Sequence, residues 1–328
     1  MSIMDDIRKR ASSEPRKIVL PESDDPRTME ALEYILDNRI ARIILIGKKS
    51  VASGIRSKNT GYLEIIDTED YRQTESLAGE YYELRKAKGM TPEEALLVMK
   101  TEWISFGAML VRRGAASGFV AGANHTTADT VRAALRCLRI DREIWVAAGA
   151  FLIEVPGSQY GEKGVFVFAD CGVNPQPNAR QLAGIGVLSA RLFRKLVDKT
   201  PHVAFLSYSS KGSAEGPLVD KIKESVSKAK EMMPEISIDG EFQVDSAIVR
   251  EVAEIKCPGS DVAGKANVLI FPDINSGNIS YKLTQRLSNA RAVGPLLIGF
   301  TEPCSDLSRG CNVDDIVDAV AVTSVRAS

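Results

Sequence analysis

The sequence is poor in histidine, and its few cysteines lack the spacing of a metal site. Among 328 residues there are two histidines, His125 and His202, and five cysteines with no C-x-x-C pair. With so few histidines, a histidine-based metal centre or a conventional catalytic triad is disfavoured. An odd number of cysteines without such spacing is typical of a protein in a reducing compartment rather than of a disulfide framework.

Long apolar runs and an excess of charge are also missing. No apolar run reaches the roughly 18 residues of a membrane-spanning helix, and the N-terminal MSIMDDIRKR lacks the apolar core of a secretory signal. The 42 basic and 43 acidic residues give a net charge of -1. A dedicated nucleic-acid binder usually carries a basic excess. We therefore expect a cytoplasmic protein with neither a membrane nor a nucleic acid as partner.

Two common nucleotide-binding motifs are incomplete. Gly47-Lys48-Lys49-Ser50 follows a predicted strand, but Arg42 stands where a P-loop needs its first glycine. Gly184-Ile185-Gly186 lacks the third glycine of a dinucleotide fingerprint and lies inside a predicted helix. A kinase or a standard dinucleotide fold is thus disfavoured. We interpret the first segment as a loop lysine pair and the second as glycines that allow close helix packing.

What the chain does contain is an alternation of short apolar runs with amphipathic stretches. The runs predict strands at 18–20, 43–46, 118–122, 165–168, 203–206, 268–271 and 296–298. The stretches predict helices at 26–37, 71–88, 92–100, 128–137, 178–197, 218–230 and 313–322. Such alternation is typical of an α/β protein with parallel strands joined by helical crossovers. The length suggests two domains, with a boundary near 147–150.

Three polar segments follow predicted strands, and a fourth precedes the last predicted helix. The carboxyl ends of strands are where open α/β sheets bind ligands. The first three are 122–132, 207–217 and 272–282. Arg132 in the first and the hydroxyls, amides and Lys211 of the second suit an anionic group. The alternative for each is an ordinary loop or helix start, and in the third Ser276 or Asn278 would serve as the cap.

The fourth segment, 303–316, precedes the last predicted helix. Asn312 is a good N-cap residue, and Asp315 then occupies the third helical position of a capping box. Ser308 and Arg309 stand just before this helix. A hydroxyl, a guanidinium group and a carboxylate could therefore surround one anion, for which arginine has suitable charge and geometry. A purely structural helix start explains the same pattern.

Taken in order, these segments resemble the phosphate acetyltransferases of the phosphate acetyl/butyryltransferase family. The similar stretches cover nearly the whole chain, and its length fits the short form of the family. They read P-E-S-D-D-P-R, A-G-A-N-H-T-T-A-D-T-V-R, F-A-D-C-G-V-N-P-Q-P, S-Y-S-S-K-G-S-A, D-G-E-F-Q-V-D-S-A, F-P-D-I-N-S-G-N-I-S-Y-K-L-T-Q-R and L-S-R-G-C-N-V-D-D-I-V.

The resemblance implies two three-layer αβα domains with a cleft between them, similar to isocitrate and isopropylmalate dehydrogenases. The first domain would comprise 1–147 and 296–328, and the second 148–295. It also implies a homodimer that reversibly transfers an acetyl group between acetyl phosphate and coenzyme A. Acetyl-CoA, coenzyme A, phosphate and acetyl phosphate would be substrates, with no metal and no tightly bound cofactor.

Residue roles carried over from the family fall on matching positions. Asp315 would be the general base that deprotonates the thiol, Arg309 would bind phosphate or polarise the acyl carbonyl, and Ser308 would stabilise the transition state. Since a thiol has a pKa near 8.5 and an ordinary aspartate one near 3.9, a carboxylate is a weak base for this step. The expected substrate-binding residues are Arg132, Arg85, Thr127, Ser209, Lys211, Asn278, Tyr281, Lys282, Arg286 and Arg27.

Other functions compatible with the pattern are a phosphate butyryltransferase, a non-catalytic coenzyme A-binding regulatory domain and a dehydrogenase of the related fold. Cys311 as a nucleophile is disfavoured because no histidine accompanies it. Two segments depart from the family pattern. Residues 296–300 replace a glutamine-containing strand end, and Ser209-Ser210-Lys211 stands where Ser-Thr-Lys is common.

Overall fold

The computed structural model describes residues 2–328, and the α/β class is confirmed. The strands are β1 (Lys17–Leu20), β2 (Arg42–Ile46), β3 (Leu63–Ile66), β4 (Gly118–Ala121), β5 (Ala148–Glu154), β6 (Val165–Ala169), β7 (His202–Leu206), β8 (Ser237–Phe242), β9 (Val268–Ile270), β10 (Arg291–Ile298) and β11 (Cys304–Asp306). The helices are α1 (Ile3–Ser13), α2 (Pro26–Asp37), α3 (Thr74–Arg85), α4 (Pro92–Thr101), α5 (Trp103–Arg112), α6 (Thr127–Cys137), α7 (Ala179–Val197), α8 (Pro217–Met232), α9 (Val244–Ile248), α10 (Arg250–Lys256), α11 (Ile274–Leu287) and α12 (Val313–Arg326).

The chain forms two compact units. The first consists of the residues up to Ile140 together with Phe300–Ser328, and the second of Asp141–Gly299. No helix within residues 2–328 is long and apolar enough to cross a bilayer. All five cysteines are buried free thiols.

The first unit is built on a parallel sheet in the order β3-β2-β1-β4-β11. Its two faces are covered by helices, as the packing of β1 shows. Gly118 beside Ile18 lies against Thr323 of α12, whereas Val19 lies against Gly107 of α5. Because successive strand residues point to opposite faces, α12 and α5 cover opposite sides of the sheet. This is the layered arrangement that helical crossovers produce.

The sheet of the second unit is mixed, with the order β10-β5-β6-β9-β7-β8. β6, β9, β7 and β8 are parallel, but β5 runs antiparallel to both β10 and β6. The prediction of parallel neighbours is therefore wrong for β5 and β10. β5 and β6 are joined by the short segment 155–164, in which Val155 N donates to Gly164 O at 2.9 Å. A connection this short, with no helix, permits only antiparallel pairing.

Glycines in α7 allow close helix packing, as predicted. A Cβ atom on Gly184 would lie 2.6 Å from Ile144, and one on Gly186 would lie 2.5 Å from the ring of Phe205. On the other face of this sheet, Tyr281 of α11 stacks on Phe151 of β5 with ring centroids 3.9 Å apart. Both faces of the second unit thus carry a packed apolar layer.

The N-cap residues of α12 and α11 were both predicted from the local sequence, and the structure shows which residues cap these helices. α12 begins with the predicted capping box, in which Asn312 and Asp315 exchange two hydrogen bonds of 2.9 Å. The cap of α11 was predicted wrongly as Ser276 or Asn278. Asp273 is the cap instead, because its Oδ1 accepts the Ser276 amide at 2.9 Å and the helix starts one residue later.

Candidate active site

The segment after β11 is a tight turn that leads into α12. The Leu307 amide donates to Ala121 O at 2.8 Å, which continues the sheet up to the edge of the turn. The Cys311 amide then donates to Ser308 O at 2.8 Å, and the Gly310 amide donates to Ser308 Oγ at 3.2 Å. The side chains of Ser308 and Arg309 are exposed. A hydroxyl and a guanidinium group are therefore presented to solvent next to a helix N-terminus, which favours anions.

Asp315 lies in the first turn of α12 and is partly exposed. Its Oδ2 accepts the Asn312 amide at 2.9 Å, while its own amide donates to Asn312 Oδ1 at 2.9 Å. The predicted structural role as a capping residue is thus confirmed. Since one carboxylate oxygen makes this bond, the other carboxylate oxygen stays available for a further partner.

Arg27, in the first turn of α2, reaches this turn. Its Nη1 donates to Arg309 O at 2.8 Å and to Cys311 O at 2.9 Å. Its Nη2 donates to Asp25 Oδ2 at 2.7 Å and to Ala123 O at 2.5 Å, and its Nε donates to Asp25 Oδ1 at 3.1 Å. The hydrogen bond from Arg27 lowers the pKa of Asp25. All five N–H groups of this guanidinium have partners inside the first unit.

The loop between β4 and α6, which was predicted to bind a ligand, is already filled by a carboxylate of the chain. Glu22 is 2% exposed, and its oxygens accept the backbone amides of Gly122, Ala123, Asn124 and His125 at 2.8–3.2 Å. The Nδ1 atom of His125 is 2.7 Å from Glu22 Oε1. These four amides are consequently occupied, and side chains rather than loop amides must meet any ligand at this place.

A second buried carboxyl lies behind the same loop. Asp306 ends β11 and has no exposed surface. Neither of its oxygens has a well-formed hydrogen bond within the described residues. Burial raises the pKa of Asp306 to about 7, against the opposing influence of the Thr127 and Thr130 hydroxyls of α6. Thr127 therefore lies beside Asp306. Asp306 ends β11 and precedes Ser308 by two residues.

Arg132 of α6 lines a cavity of about 530 Å³ within the first unit. Its Nη1 donates to Asp129 Oδ1 at 2.7 Å, and hydrogen bonds from Thr126 and Arg132 lower the pKa of Asp129. Arg136, one helical turn further on, lines the same cavity, as does Trp103 of α5. Two guanidinium groups and an aromatic ring are thus gathered around one opening.

Arg85 is partly buried at the end of α3. Its Nε atom has no hydrogen-bond partner within residues 2–328. Burial is the main cause of the raised pKa of Tyr81. The nearby charges of Arg136 and Arg85 act in the opposite direction and lower this pKa. The structure therefore places the three arginines of α3 and α6 in one region of the first unit.

In the second unit, the predicted residues of the β7–α8 loop are engaged internally. Ser209 is fully buried, and its hydroxyl donates to Glu241 Oε1 at 3.0 Å. The Gly212 amide donates to the same oxygen at 2.7 Å. Lys211 Nζ pairs with Asp239 Oδ1 at 2.6 Å. These contacts shape the loop, and the Ser209 hydroxyl has no surface to offer a ligand.

The predicted residues of α11 differ in their exposure. Asn278 Nδ2 donates to Cys171 O at 3.1 Å, and Tyr281 is buried against Phe151. Lys282 and Arg286 are exposed. The positive charges of this helix are accessible, whereas its amide and phenol hold it on the second unit.

Comparison with known proteins identifies the family of the chain. The sequence model described as phosphate acetyl/butaryl transferase matches residues 2–324. The chain belongs to the phosphate acetyl/butaryl transferase family. It is 47% identical to the phosphate acetyltransferase of Thermoanaerobacterium thermosaccharolyticum, over all of both chains.

Solved structures give the same family and show how far its fold extends. A phosphotransacetylase from Streptococcus pyogenes superposes with a TM-score of 0.91 at 36% identity, covering 99% of this chain and 98% of that one. A 4-hydroxythreonine-4-phosphate dehydrogenase from Klebsiella pneumoniae has a TM-score of 0.53 at 8% identity over 95% and 99% of the chains. The latter likeness concerns the fold alone.

Several residues that organise this candidate site were not predicted from the sequence. Glu22 and Asp25 lie in the stretch P-E-S-D-D-P-R, which signalled a special loop without indicating which amides it would fill. Arg136 follows Arg132 by four residues, a spacing that puts both side chains on one face of a helix. Asp306 carried no local signal, because only burial makes it unusual.

Proposed function

We propose that this chain is a phosphate acetyltransferase that reversibly transfers an acetyl group between acetyl phosphate and coenzyme A. The observation that carries the proposal is the exposed turn of Ser308 and Arg309 at the capped N-terminus of α12, with Asp315 in its first turn. The relatives named phosphate acetyltransferase support the acyl group, since they match over the full length. A butyryltransferase is not favoured.

In the proposed reaction, Asp315 accepts the proton of the coenzyme A thiol. The thiolate sulfur then attacks the acetyl carbonyl carbon of acetyl phosphate, so that a C–S bond forms and the C–O bond to phosphate breaks. Arg309 and Ser308 stabilise the negative charge that develops on the carbonyl oxygen and on the departing phosphate. Acetyl phosphate is already activated, so no covalent intermediate with the enzyme is required.

Coenzyme A is a substrate in this proposal, and no tightly bound cofactor takes part. The guanidinium groups of Arg132, Arg136 and Arg85 are suited to its phosphates, and Trp103 offers an aromatic face beside them. Lys282 and Arg286 provide exposed positive charge in the second unit. Thr127, Ser209, Lys211, Asn278 and Tyr281 are assigned to shaping the loops and helices that carry these groups.

We also propose that the protein is a cytoplasmic homodimer with two αβα domains, 1–147 plus 296–328 and 148–295. The balanced charge and the cysteine usage support the location. The two compact units support the division of the chain. The proposed homodimer can be checked by light scattering, which measures the mass of the purified protein in solution.

The test of the activity is phosphate-dependent release of coenzyme A from acetyl-CoA, compared between the wild type and Asp315→Asn. An asparagine still offers an oxygen to the Asn312 amide, so the helix start is kept while the base is removed. We expect kcat to fall by roughly 10²–10⁴-fold, the usual contribution of a general base, with the affinity for coenzyme A unchanged.

Asp314→Asn is the matched control, because Asp314 is the adjacent residue and its exposed side chain pairs only with Arg8 in the described contacts. It should retain wild-type turnover. Near-wild-type turnover of Asp315→Asn would eliminate the base assignment. A wild-type protein that binds coenzyme A but transfers no acetyl group would instead indicate a non-catalytic domain.

A further inference from the structure

Arg27 connects three separate segments of the first unit through one side chain. Its five N–H groups reach the carboxylate of Asp25, the carbonyl of Ala123, and the carbonyls of Arg309 and Cys311. The acceptors come from the loop before α2, the loop before α6 and the turn before α12. A planar guanidinium with a fixed fork of donors holds such acceptors in one geometry, which a flexible ammonium does not.

The two carbonyls on the turn are the important ones, because they flank Gly310. Within the turn itself, the Cys311 amide donates to Ser308 O and the Gly310 amide to Ser308 Oγ. Glycine leaves the backbone of such a turn with many alternative conformations. The bonds from Arg27 therefore restrict the segment that carries the Ser308 and Arg309 side chains.

A direct role in substrate binding requires a free donor, and Arg27 has none. Each N–H of its guanidinium already has a protein acceptor at 2.5–3.1 Å. A phosphate oxygen could bind only after one of these bonds had broken. Asp25, which is 6% exposed, also neutralises the charge that would attract the phosphate.

We propose that Arg27 is a positioning residue for acyl transfer, acting through the Arg309–Cys311 backbone rather than by touching a substrate. This inference rests on the function proposed above. Misplacing a catalytic group by about 1 Å can cost about 10²-fold in rate. Loss of the Arg27 bonds should accordingly lower kcat and leave substrate affinity intact.

The experiment compares Arg27→Gln with Arg113→Gln. Arg113 also lies in the first unit and donates four hydrogen bonds, to Gln73, Ser76 and Glu80, but none of them reaches the turn. It thus controls for the general loss of a well-bonded arginine. We expect Arg27→Gln to lower kcat by about 10²-fold, with the dissociation constant of coenzyme A and the KM for phosphate changed less than about threefold. Arg113→Gln should keep all three values.

A second measurement does not depend on the reaction. Hydrogen exchange of the Cys311 amide reports its bond to Ser308 O. It should become at least about tenfold faster in Arg27→Gln and stay unchanged in Arg113→Gln, because only the former loosens the turn. If the wild type transferred no acetyl group, the proposed function would fail, and this exchange rate would still decide the role of Arg27.

The outcomes separate the alternatives. A KM for phosphate or a dissociation constant for coenzyme A that rises tenfold or more, at unchanged kcat, would show that Arg27 binds substrate and would overturn the proposal. Unchanged kcat and unchanged exchange would overturn it as well. Should Arg27→Gln fail to fold, Asp25→Asn removes the bidentate partner instead. It must then show a smaller loss of kcat and faster Cys311 exchange, or the proposal fails.

Discussion

Replacing Asp306 with asparagine should change how the stability of the protein depends on pH. This carboxyl is fully buried at the end of β11, and burial raises its pKa to about 7. An unfolded chain would return the group to its ordinary pKa of about 3.9. Asparagine has nearly the same shape and cannot ionise, so the substitution removes the titration and keeps the packing.

The sign and size of the effect follow from proton linkage. Between about pH 4 and pH 7 the folded protein holds a proton on Asp306 that the unfolded chain releases, so its contribution to stability is lost as the pH rises. The contribution is fully present below about pH 4 and is gone above about pH 7. A difference of about three pKa units corresponds to about 4 kcal/mol. The Asp306→Asn variant has no titrating group at this position, so its free energy of unfolding should not fall by this amount as the pH rises.

Urea unfolding of both proteins at intervals from pH 4 to pH 8 measures this difference. Subtracting the wild-type free energy of unfolding from that of the variant cancels the titration of all other groups. The difference should rise by about 4 kcal/mol towards neutral pH and level off above about pH 7. A flat difference curve, or one that falls with pH, would show that Asp306 is ionised in the folded protein.

Two further predictions concern a thiol and a glycine. Burial raises the pKa of Cys311 to about 11, so the thiol is protonated at pH 8, and Cys311→Ala should keep full turnover in the coenzyme A release assay; a large loss would reopen the nucleophile hypothesis. Gly186→Ala should lower the free energy of unfolding by about 1–3 kcal/mol, because the new methyl group overlaps Phe205. Gly79→Ala on α3 is its control, since nothing lies within 4 Å of the added atom, and urea unfolding in which both variants match the wild type would contradict the packing argument.

Local features of the fold could be predicted because their causes are local. Helix α2 spans the predicted Pro26–Asp37, since Asp25 caps it and Pro26 favours its first turn. The capping box of Asn312 and Asp315 involves residues three apart in sequence. In both cases the deciding hydrogen bonds lie inside a few consecutive residues.

Features that depend on distant partners could not be predicted in this way. β5 pairs with β10, which lies about 140 residues later in the chain, and no periodicity within either strand specifies that partner. β5 itself was not among the predicted strands, and its antiparallel pairing was therefore missed as well. Helix α5 was not predicted at all. Its residues from Ile104 to Val111 are buried without a break, and a short buried apolar run does not by itself distinguish a helix from a strand.

The candidate site shows the same division. Ser308, Arg309 and Asp315 stand close together in sequence, and their common turn could be anticipated from spacing. The bonds of Arg27 to the carbonyls of Arg309 and Cys311 join residues more than 280 positions apart. Such contacts come from the fold as a whole, so the sequence alone assigned Arg27 only by resemblance.

The carboxylate of Glu22 inside the β4–α6 loop has a consequence for the order of events during substrate encounter. The four hydrogen bonds that Glu22 accepts from backbone amides form when the chain folds, before any substrate is present. A loop that had to wait for a phosphate to organise its amides would lose conformational freedom at binding, and its affinity would be lower for that reason. Here that conformational freedom is lost when the chain folds, so a ligand that reaches this loop meets a surface that is already shaped.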